Sequence, residues 1–182
     1  VTISRAVGTV SYPAQFLLVL AANPCPCGKF SGRGRGCSCS QIQILRYLQK
    51  ISGPLLDRID IRTFVEAPTR AEMSSETLGE SSTVVRKRVI AAREISSKRF
   101  EGRGWSLNSQ IPARELRSAF KGEKDAMAFL HHELDLERLS ARGFHKVLRL
   151  GWSIADHRGH ARPTLDDIKT ALHLRQGMES EL

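Results

Sequence analysis

Four cysteines form the pattern in this sequence that most directly suggests chemistry. They lie in two tight pairs, Cys25-x-Cys27 and Cys37-x-Cys39, on either side of the glycine-rich stretch 28–36. Four thiolates suit a tetrahedral Zn²⁺, and the metal would fix a loop that has no core of its own. Because a single residue between ligands is tighter than the common C-x₂-C spacing, free thiols remain the alternative. The spacing therefore indicates a zinc site.

An amide side chain follows an apolar run. Residues 16–20, Phe-Leu-Leu-Val-Leu, predict a strand covered on both faces, and Asn23 comes shortly after it. Ligands in open α/β sheets bind beyond the carboxyl ends of the strands, where an amide can hold a water or a phosphate oxygen without adding charge. The alternative is an Asx-turn in which Asn23 precedes Pro24. The residues alone leave both interpretations open.

An arginine stands between a short helix and a second predicted strand. In Gly-Pro-Leu-Leu-Asp-Arg-Ile-Asp-Ile, residues 53–61, a helical turn over 54–57 presents Arg58 just before a strand over 59–65. Arginine is well suited to phosphate because its guanidinium is planar, always charged and able to bind in a fork. The alternative is an ordinary salt bridge from Arg58 to Asp57 or Asp60.

The remaining elements predict an α/β first part and an all-helical second half. A helix over 40–51 has Ser40 as its cap, and another cap, Ser140, precedes the clearest apolar stripe in the chain. That stripe consists of Phe144, Val147, Leu148, Gly151, Ile154 and Ala155. Further helices are predicted over 82–100, 112–120, 123–136 and 164–174, the last capped by Thr164.

Charge and composition limit the classes of function. The 182 residues carry a formal net charge of +9, which favours polyanions such as nucleic acid, nucleotide phosphates or an acidic membrane surface. No apolar run reaches the length of a membrane span, and the first residues do not resemble a signal peptide. We therefore expect a cytoplasmic protein with reduced cysteines. Since the chain lacks an initiating Met, we also expect it to be a fragment of a longer protein.

Several motifs together resemble the magnesium-chelatase-like family of AAA+ ATPases, and in particular its bacterial competence-protein branch. They are VTISRA, YPAQFLLVLAANPCPCG, ISGPLLDRIDI, GESS and LSARGFHKVLR, in that order along essentially the whole chain. The resemblance implies an α/β fold in which residues 1–68 are the C-terminal portion of an AAA+ P-loop ATPase core and residues 69–182 are a helical lid. It implies that Asn23 is sensor 1, which orients the attacking water. Arg58 would be the arginine finger that reaches a neighbouring subunit, and Arg142 would be sensor 2 on the lid.

The position of Arg142 agrees with the role that the resemblance implies. It lies two residues past the cap Ser140 and points away from the apolar stripe, beside a helix N-terminus that attracts anions. Lys146 and Arg149 are predicted on the same outward side, and a solvated surface is the alternative. The sequence departs from the family pattern at Trp152, where members often carry a further arginine, so we expect no second basic contact from that turn.

The sequence contains no G-x-x-x-x-G-K-[ST] motif, so ATP and Mg²⁺ would be bound mostly by residues upstream of this chain. We expect the chain alone not to hydrolyse ATP. The resemblance implies that the intact protein forms a ring, expected to be a hexamer, that couples ATP hydrolysis to movement on DNA during recombination or natural transformation, as a branch-migration helicase does. In such a ring Lys29, Arg33 and Arg35, beside sensor 1, would suit DNA phosphates. The alternatives are the ATPase subunit of a magnesium chelatase and a non-enzymatic DNA-binding module.

Overall fold

The computed structural model describes residues 1–14, 16–30, 36–66, 68–74 and 79–177 of the chain. It divides into two compact units, Val1–Lys50 and Ile51–Leu182. Among the described residues no helix is both long enough and apolar enough to cross a membrane. The predicted functional boundary at residue 68 stays a prediction.

The first unit combines a β-hairpin with one helix. Strand β1, Thr2–Arg5, pairs antiparallel with β2, Gly8–Ser11, and the register places Thr2 opposite Ser11. Helix α1, Gln41–Leu48, begins after Ser40, whose hydroxyl accepts a bond from the backbone N–H of Gln43. The Gln43 side chain accepts the Ser40 N–H in return, which completes a capping box and confirms the predicted helix start. The hairpin was not predicted.

The buried strand predicted at 16–20 is not present. These residues form no strand, and their side chains are exposed by 54% to 89%. A strand needs neighbours for its backbone N–H and C=O groups, and no backbone bond to this segment occurs among the described residues. The apolar run identified a segment able to be buried, but burial depends on a partner that this part of the chain does not provide.

The strand predicted at 59–65 is also wrong. The segment has no regular structure, and one of its N–H groups, that of Arg62, donates to the Leu174 carbonyl at 2.7 Å. The chain here follows a helix end instead of a neighbouring strand. The apolar residues of this alternating pattern, Ile61, Phe64 and Val65, remain exposed, so the alternation did not produce a buried face.

The second unit is helical, as predicted for the second half of the chain. Its helices are α2 Gly53–Arg58, α3 Arg70–Ser74, α4 Ser82–Arg99, α5 Ala113–Leu116, α6 Lys124–Asp135, α7 Ala141–Arg158 and α8 Leu165–Gln176. A 3₁₀ turn, Asn108–Gln110, precedes α5. The helix predicted over 112–120 is thus limited to the four residues of α5, whereas the others lie close to their predicted ranges.

Helix α7 lies at the centre of the core. The predicted stripe is buried apart from Ile154, which is half-buried, and Trp152 is buried beside it. Gly151 allows α8 to approach closely, because a Cβ there would lie 2.6 Å from Cδ1 of the buried Ile168. Ser140 accepts the Gly143 N–H at 3.0 Å, and Thr164 likewise caps α8, so both predicted caps are confirmed.

Candidate functional site

The end of α2 is anchored by a buried arginine from α8. Arg175, 7% exposed, donates through Nη1 to the Ile59 carbonyl at 2.9 Å and through Nη2 to the Asp57 carbonyl at 3.0 Å. The same Nη2 meets Oδ1 of Asp57 at 2.5 Å. The last carbonyls of a helix lack intrahelical partners and carry partial negative charge, so a cation satisfies both needs there. Arg175 thereby fixes the backbone on both sides of Arg58.

Two cations of α7 bind the same segment. Lys146 donates to the Arg58 carbonyl at 2.5 Å and pairs with Asp60 at 2.8 Å. Arg142 reaches Oδ2 of Asp57 at 3.4 Å, while its side chain remains 65% exposed. The carboxylates on both sides of Arg58 are therefore paired with cations of α7 and α8.

Arg58 itself lies at the surface. Its Nη1 donates to the Pro54 carbonyl within α2 at 2.9 Å, and the residue is exposed. Among the described residues no carboxylate pairs with it, so the alternative of a salt bridge to Asp57 or Asp60 is wrong. The cause is competition, because both acids are closer to other cations. The guanidinium keeps donors free for an external acceptor.

The outward basic side predicted for α7 is narrower than expected. Arg142 is exposed as predicted, but Lys146 has a side chain only 17% exposed. Arg149 is half-buried and donates through Nε and Nη2 to the Ile111 carbonyl at 3.0 and 2.8 Å, and burial lowers its pKa. The segment 57–60 and the loop before α5 cover this side of α7. Helical spacing shows which residues share a face, but it does not show which faces the rest of the chain covers.

Trp152 is a core residue. It is 3% exposed, its Nε1 donates to the Phe120 carbonyl at 2.9 Å, and the Arg99 guanidinium lies 4.3 Å from its ring centre. This turn of α7 therefore presents an indole to the interior and supplies no second cation at the surface.

Asn23 lies in the first unit, whereas Arg58 and Arg142 lie in the second. It is exposed and precedes the turn over residues 25–28, in which the Gly28 N–H donates to the Cys25 carbonyl at 3.0 Å. No side-chain hydrogen bond of Asn23, and so no Asx-turn, occurs among the described residues. Lys29 is exposed, and Arg33 and Arg35 lie outside the described residues.

The four cysteines come together as the spacing predicted. The Sγ atom of Cys25 lies 3.3 Å from that of Cys27 and 3.7 Å from that of Cys37, and Cys27 and Cys37 are 3.6 Å apart. The Sγ of Cys39 completes a group whose members all lie within 4.8 Å of one another. Cys25 is buried, Cys27 is exposed, and the other two are half-buried.

The environment distributes ionisation unevenly within this group. Hydrogen bonds from the Lys29 backbone N–H and from the Cys25 thiol lower the pKa of Cys27 to about 6. The Cys39 N–H acts to lower the pKa of Cys37, but burial and the neighbouring thiols raise it to about 12. Cys27 is therefore the more readily ionised of these two thiols.

The anchoring residue Arg175 was not predicted, although the sequence carries a signal for it. Ile168, Ala171, Leu172 and Arg175 follow the i, i+3, i+4, i+7 spacing of a buried helix face, and all four are buried. A cation in such a stripe indicates a paired, structural arginine. Its partner, 118 residues earlier, could not be identified from the sequence.

Two family models match the chain. A model described as magnesium chelatase, subunit ChlI, matches residues 1–73, and one described as the C-terminal part of that subunit matches residues 79–175. Together they cover the hairpin, the cysteines and α2, and then the helices from α4 to α8.

Similar proteins extend over nearly all of the chain. It is 41% identical over 176 residues to an uncharacterized protein of Mycobacterium tuberculosis, covering 97% of this chain and 34% of that protein. It is 35% identical over 179 residues to competence protein ComM of Haemophilus influenzae, covering 96% and 33%. Identity to the uncharacterized protein YifB of Escherichia coli is 35% over 177 residues, covering 97% and 33%. The chain spans about a third of the length of these relatives.

Proposed function

This chain belongs to the magnesium chelatase subunit ChlI family, and on that premise we propose that it is part of an ATP-hydrolysing AAA+ ring motor that acts on DNA. In this proposal residues 1–68 complete a P-loop ATPase core and residues 69–182 form its lid. The observation that carries the proposal is the environment of Arg58, whose neighbouring acids are paired with α7 and α8 while its own guanidinium remains at the surface.

Arg58 has the properties required of an arginine finger. Phosphoryl transfer is accelerated by a cation placed on the charge that develops on the transferred group. A guanidinium that must reach a phosphate of another subunit has to be exposed, free of carboxylates and held on a fixed backbone. Arg58 meets these conditions. Its backbone is held in place because Arg175 binds the carbonyls of the residues on both sides, and Lys146 binds the carbonyl of Arg58 itself.

Arg142 has the properties required of a side chain that binds a nucleotide phosphate from the lid. It lies in the first turn of α7 with an exposed guanidinium, and its pairing with Asp57 is long, 3.4 Å, and open to water. Exposed ion pairs of this kind contribute little free energy, so a nucleotide phosphate would compete successfully for Arg142. We propose that Arg142 acts as sensor 2 and that the exposed amide of Asn23 acts as sensor 1.

The DNA part of the proposal depends on charge and on a relative. The net charge of +9, with Lys29 exposed next to the cysteine turn, favours phosphate backbones. One relative bears the name competence protein, which suggests a role in handling incoming DNA. We propose a hexameric ring in the cytoplasm that moves branched DNA, with ATP and Mg²⁺ held mainly by parts of the intact protein outside this chain.

A second candidate is the ATPase subunit of a magnesium chelatase. The description of the matching family models favours it. Such a subunit would use the same arginines on ATP, but it would act on partner proteins that insert Mg²⁺ into a porphyrin. Its expected behaviour differs in one measurable respect, because it has no reason to prefer DNA.

Nucleotide hydrolysis by the intact protein tests the core of the proposal. We expect Arg58→Ala to lower kcat for ATP by about 10³-fold or more, the range typical of arginine fingers. Arg86→Ala, which removes an exposed arginine from α4, is the matched control and leaves kcat unchanged. Wild-type turnover by the Arg58→Ala protein would refute the assignment. The 182-residue chain by itself is expected to show no turnover.

Mixing subunits shows whether Arg58 acts on a neighbour. A variant that lacks the lysine of the nucleotide-binding loop is expected to be inactive, and so is Arg58→Ala. If Arg58 serves the neighbouring site, mixed rings contain some interfaces with both groups intact, and activity returns. Failure of every mixture, with ring assembly verified by light scattering, would mean that Arg58 acts within its own subunit.

Binding to branched DNA separates the two candidate functions. We expect the motor to bind a four-way junction with an affinity that falls steeply as salt rises, because counterions are released from the phosphates. Weak binding without preference for the junction over a protein polyanion such as polyglutamate would favour the chelatase subunit.

A further inference from the structure

We propose that Cys25, Cys27, Cys37 and Cys39 bind one Zn²⁺ in a closed, structural site. The three Sγ–Sγ distances among Cys25, Cys27 and Cys37 are 3.3 to 3.7 Å. With a Zn–S bond of about 2.3 Å, the sulfur atoms of a tetrahedral Cys₄ site lie about 3.8 Å apart. The thiols therefore already stand near the spacing that zinc requires, and binding needs only a slight expansion.

The first unit has little else to hold it together. Among its described residues only Cys25 and Ile44 are buried. Within this chain the cysteine loop therefore has almost no apolar core of its own, and loops of this kind are fixed by metals or disulfides. A structural Zn²⁺ would supply folding free energy directly, because the four ligands are brought together only in the folded state.

The backbone around the sulfur atoms is arranged as a ligand loop. Gly28 has φ +74°, a left-handed conformation that closes the turn after the first pair. The Cys39 N–H donates to Cys37 Sγ at 3.4 Å. Such N–H···S bonds orient thiolate ligands and spread their charge, as outer-shell partners do in metal sites.

The charge of the complex also fits its surroundings. Zn²⁺ with four thiolates carries two net negative charges, which Lys29 and the start of α1, immediately after Cys39 and Ser40, partly offset. Because all four positions of the metal are filled by protein, no position remains for water or substrate. The site is therefore structural and does not take part in ATP hydrolysis.

Metal analysis of the 182-residue chain, purified without chelator, tests the proposal. We expect about one Zn²⁺ per chain for the wild type and less than about a tenth of that for Cys37→Ser/Cys39→Ser. Ser38→Ala, between the two cysteines, is the matched control and retains the metal. Iron in place of zinc, or a metal-free wild type with four titratable thiols or with disulfides, would overturn the proposal.

A second measurement covers the case in which the double variant fails to fold. Wild-type protein is stripped of metal, refolded with Co²⁺ and examined by visible absorption. Tetrahedral thiolate ligation gives intense d–d bands and sulfur-to-cobalt charge transfer, which added Zn²⁺ abolishes because it binds thiolates more tightly. A weak spectrum typical of octahedral Co²⁺ would refute the site. Neither result depends on the ATPase proposal.

Discussion

Arg175 and Asp57 form an ion pair with 2.5 Å between Nη2 and Oδ1, although 118 residues separate them in the sequence. The pair joins the last turn of α8 to the end of α2, the helix that presents Arg58. The Arg175 side chain is only 9% exposed, so the guanidinium is largely removed from water, whereas the Asp57 side chain is 33% exposed.

Replacing Arg175 tests how much this anchor contributes. We expect Arg175→Met to lower the free energy of unfolding by about 2–3 kcal/mol, because three acceptors at the end of α2 lose a charged donor. The free energy of unfolding is measured by urea denaturation, with unfolding monitored by circular dichroism. Arg88→Met is the control, since Arg88 pairs with Glu80 at the same 2.5 Å but both side chains are over 40% exposed. Equal losses in the two variants would contradict the anchor role.

Gly151 is predicted to tolerate no larger residue. In Gly151→Ala the new methyl would meet Cδ1 of buried Ile168, and the clash outweighs the better helix propensity of alanine. We expect a net loss of about 1–2 kcal/mol in thermal or urea unfolding. Adding Ile168→Val, which removes Cδ1, should restore part of the lost stability. Gly104→Ala, where nothing lies within 4 Å, is the neutral control.

Asp167 is predicted to make stability depend on acid pH. Burial alone would raise its pKa, but hydrogen bonds from His160, Thr164 and Arg158 outweigh burial and lower it. A carboxyl with a lowered folded-state pKa stabilises the fold above its unfolded value of about 3.9, and this contribution disappears as the pH falls through the folded-state pKa.

The measurement is the free energy of unfolding between pH 7 and pH 3. The difference between wild type and Asp167→Asn should be largest at neutral pH and shrink below about pH 4. Asp166→Asn, next to it but 78% exposed in its side chain, should change stability much less. If the difference between wild type and the Asp167→Asn variant stays constant across this range, the ionised carboxylate is not the stabilising form.

Trp152 is predicted to exclude a second arginine from α7. Trp152→Arg would place a guanidinium in the core close to that of Arg99, so we expect a loss of at least about 3 kcal/mol. Trp152→Phe keeps most of the packing but loses the hydrogen bond to the Phe120 carbonyl, so we expect the free energy of unfolding to fall by about 1 kcal/mol. Urea denaturation of both variants gives the two values. A stable Trp152→Arg protein would mean that this turn of α7 can open to solvent.

Local signals in the sequence were sufficient for most of the helices, the one predicted over 112–120 excepted, and for the cysteine cluster. Ser40, Ser140 and Thr164 were correctly predicted as caps because a cap depends on residues three positions away. The cysteine pairs lie close enough in the chain for their spacing to predict their proximity. The exposure of Arg142 followed from its helical position relative to the apolar stripe.

Tertiary structure decided what depends on partners distant in sequence. The strands predicted at 16–20 and 59–65 did not form, because a strand is completed by a neighbour that the local pattern does not specify. Arg149 and Lys146 were predicted to be outward, but distant segments cover them. A salt bridge from Arg58 to Asp57 was the alternative interpretation, but Asp57 pairs with Arg175 because the folded chain brings α8 to the end of α2. The sequence thus determined which side chains can ionise, cap or bind metal, whereas the fold determined their partners, because Coulombic and hydrogen-bond energies depend on distances in space and not along the chain.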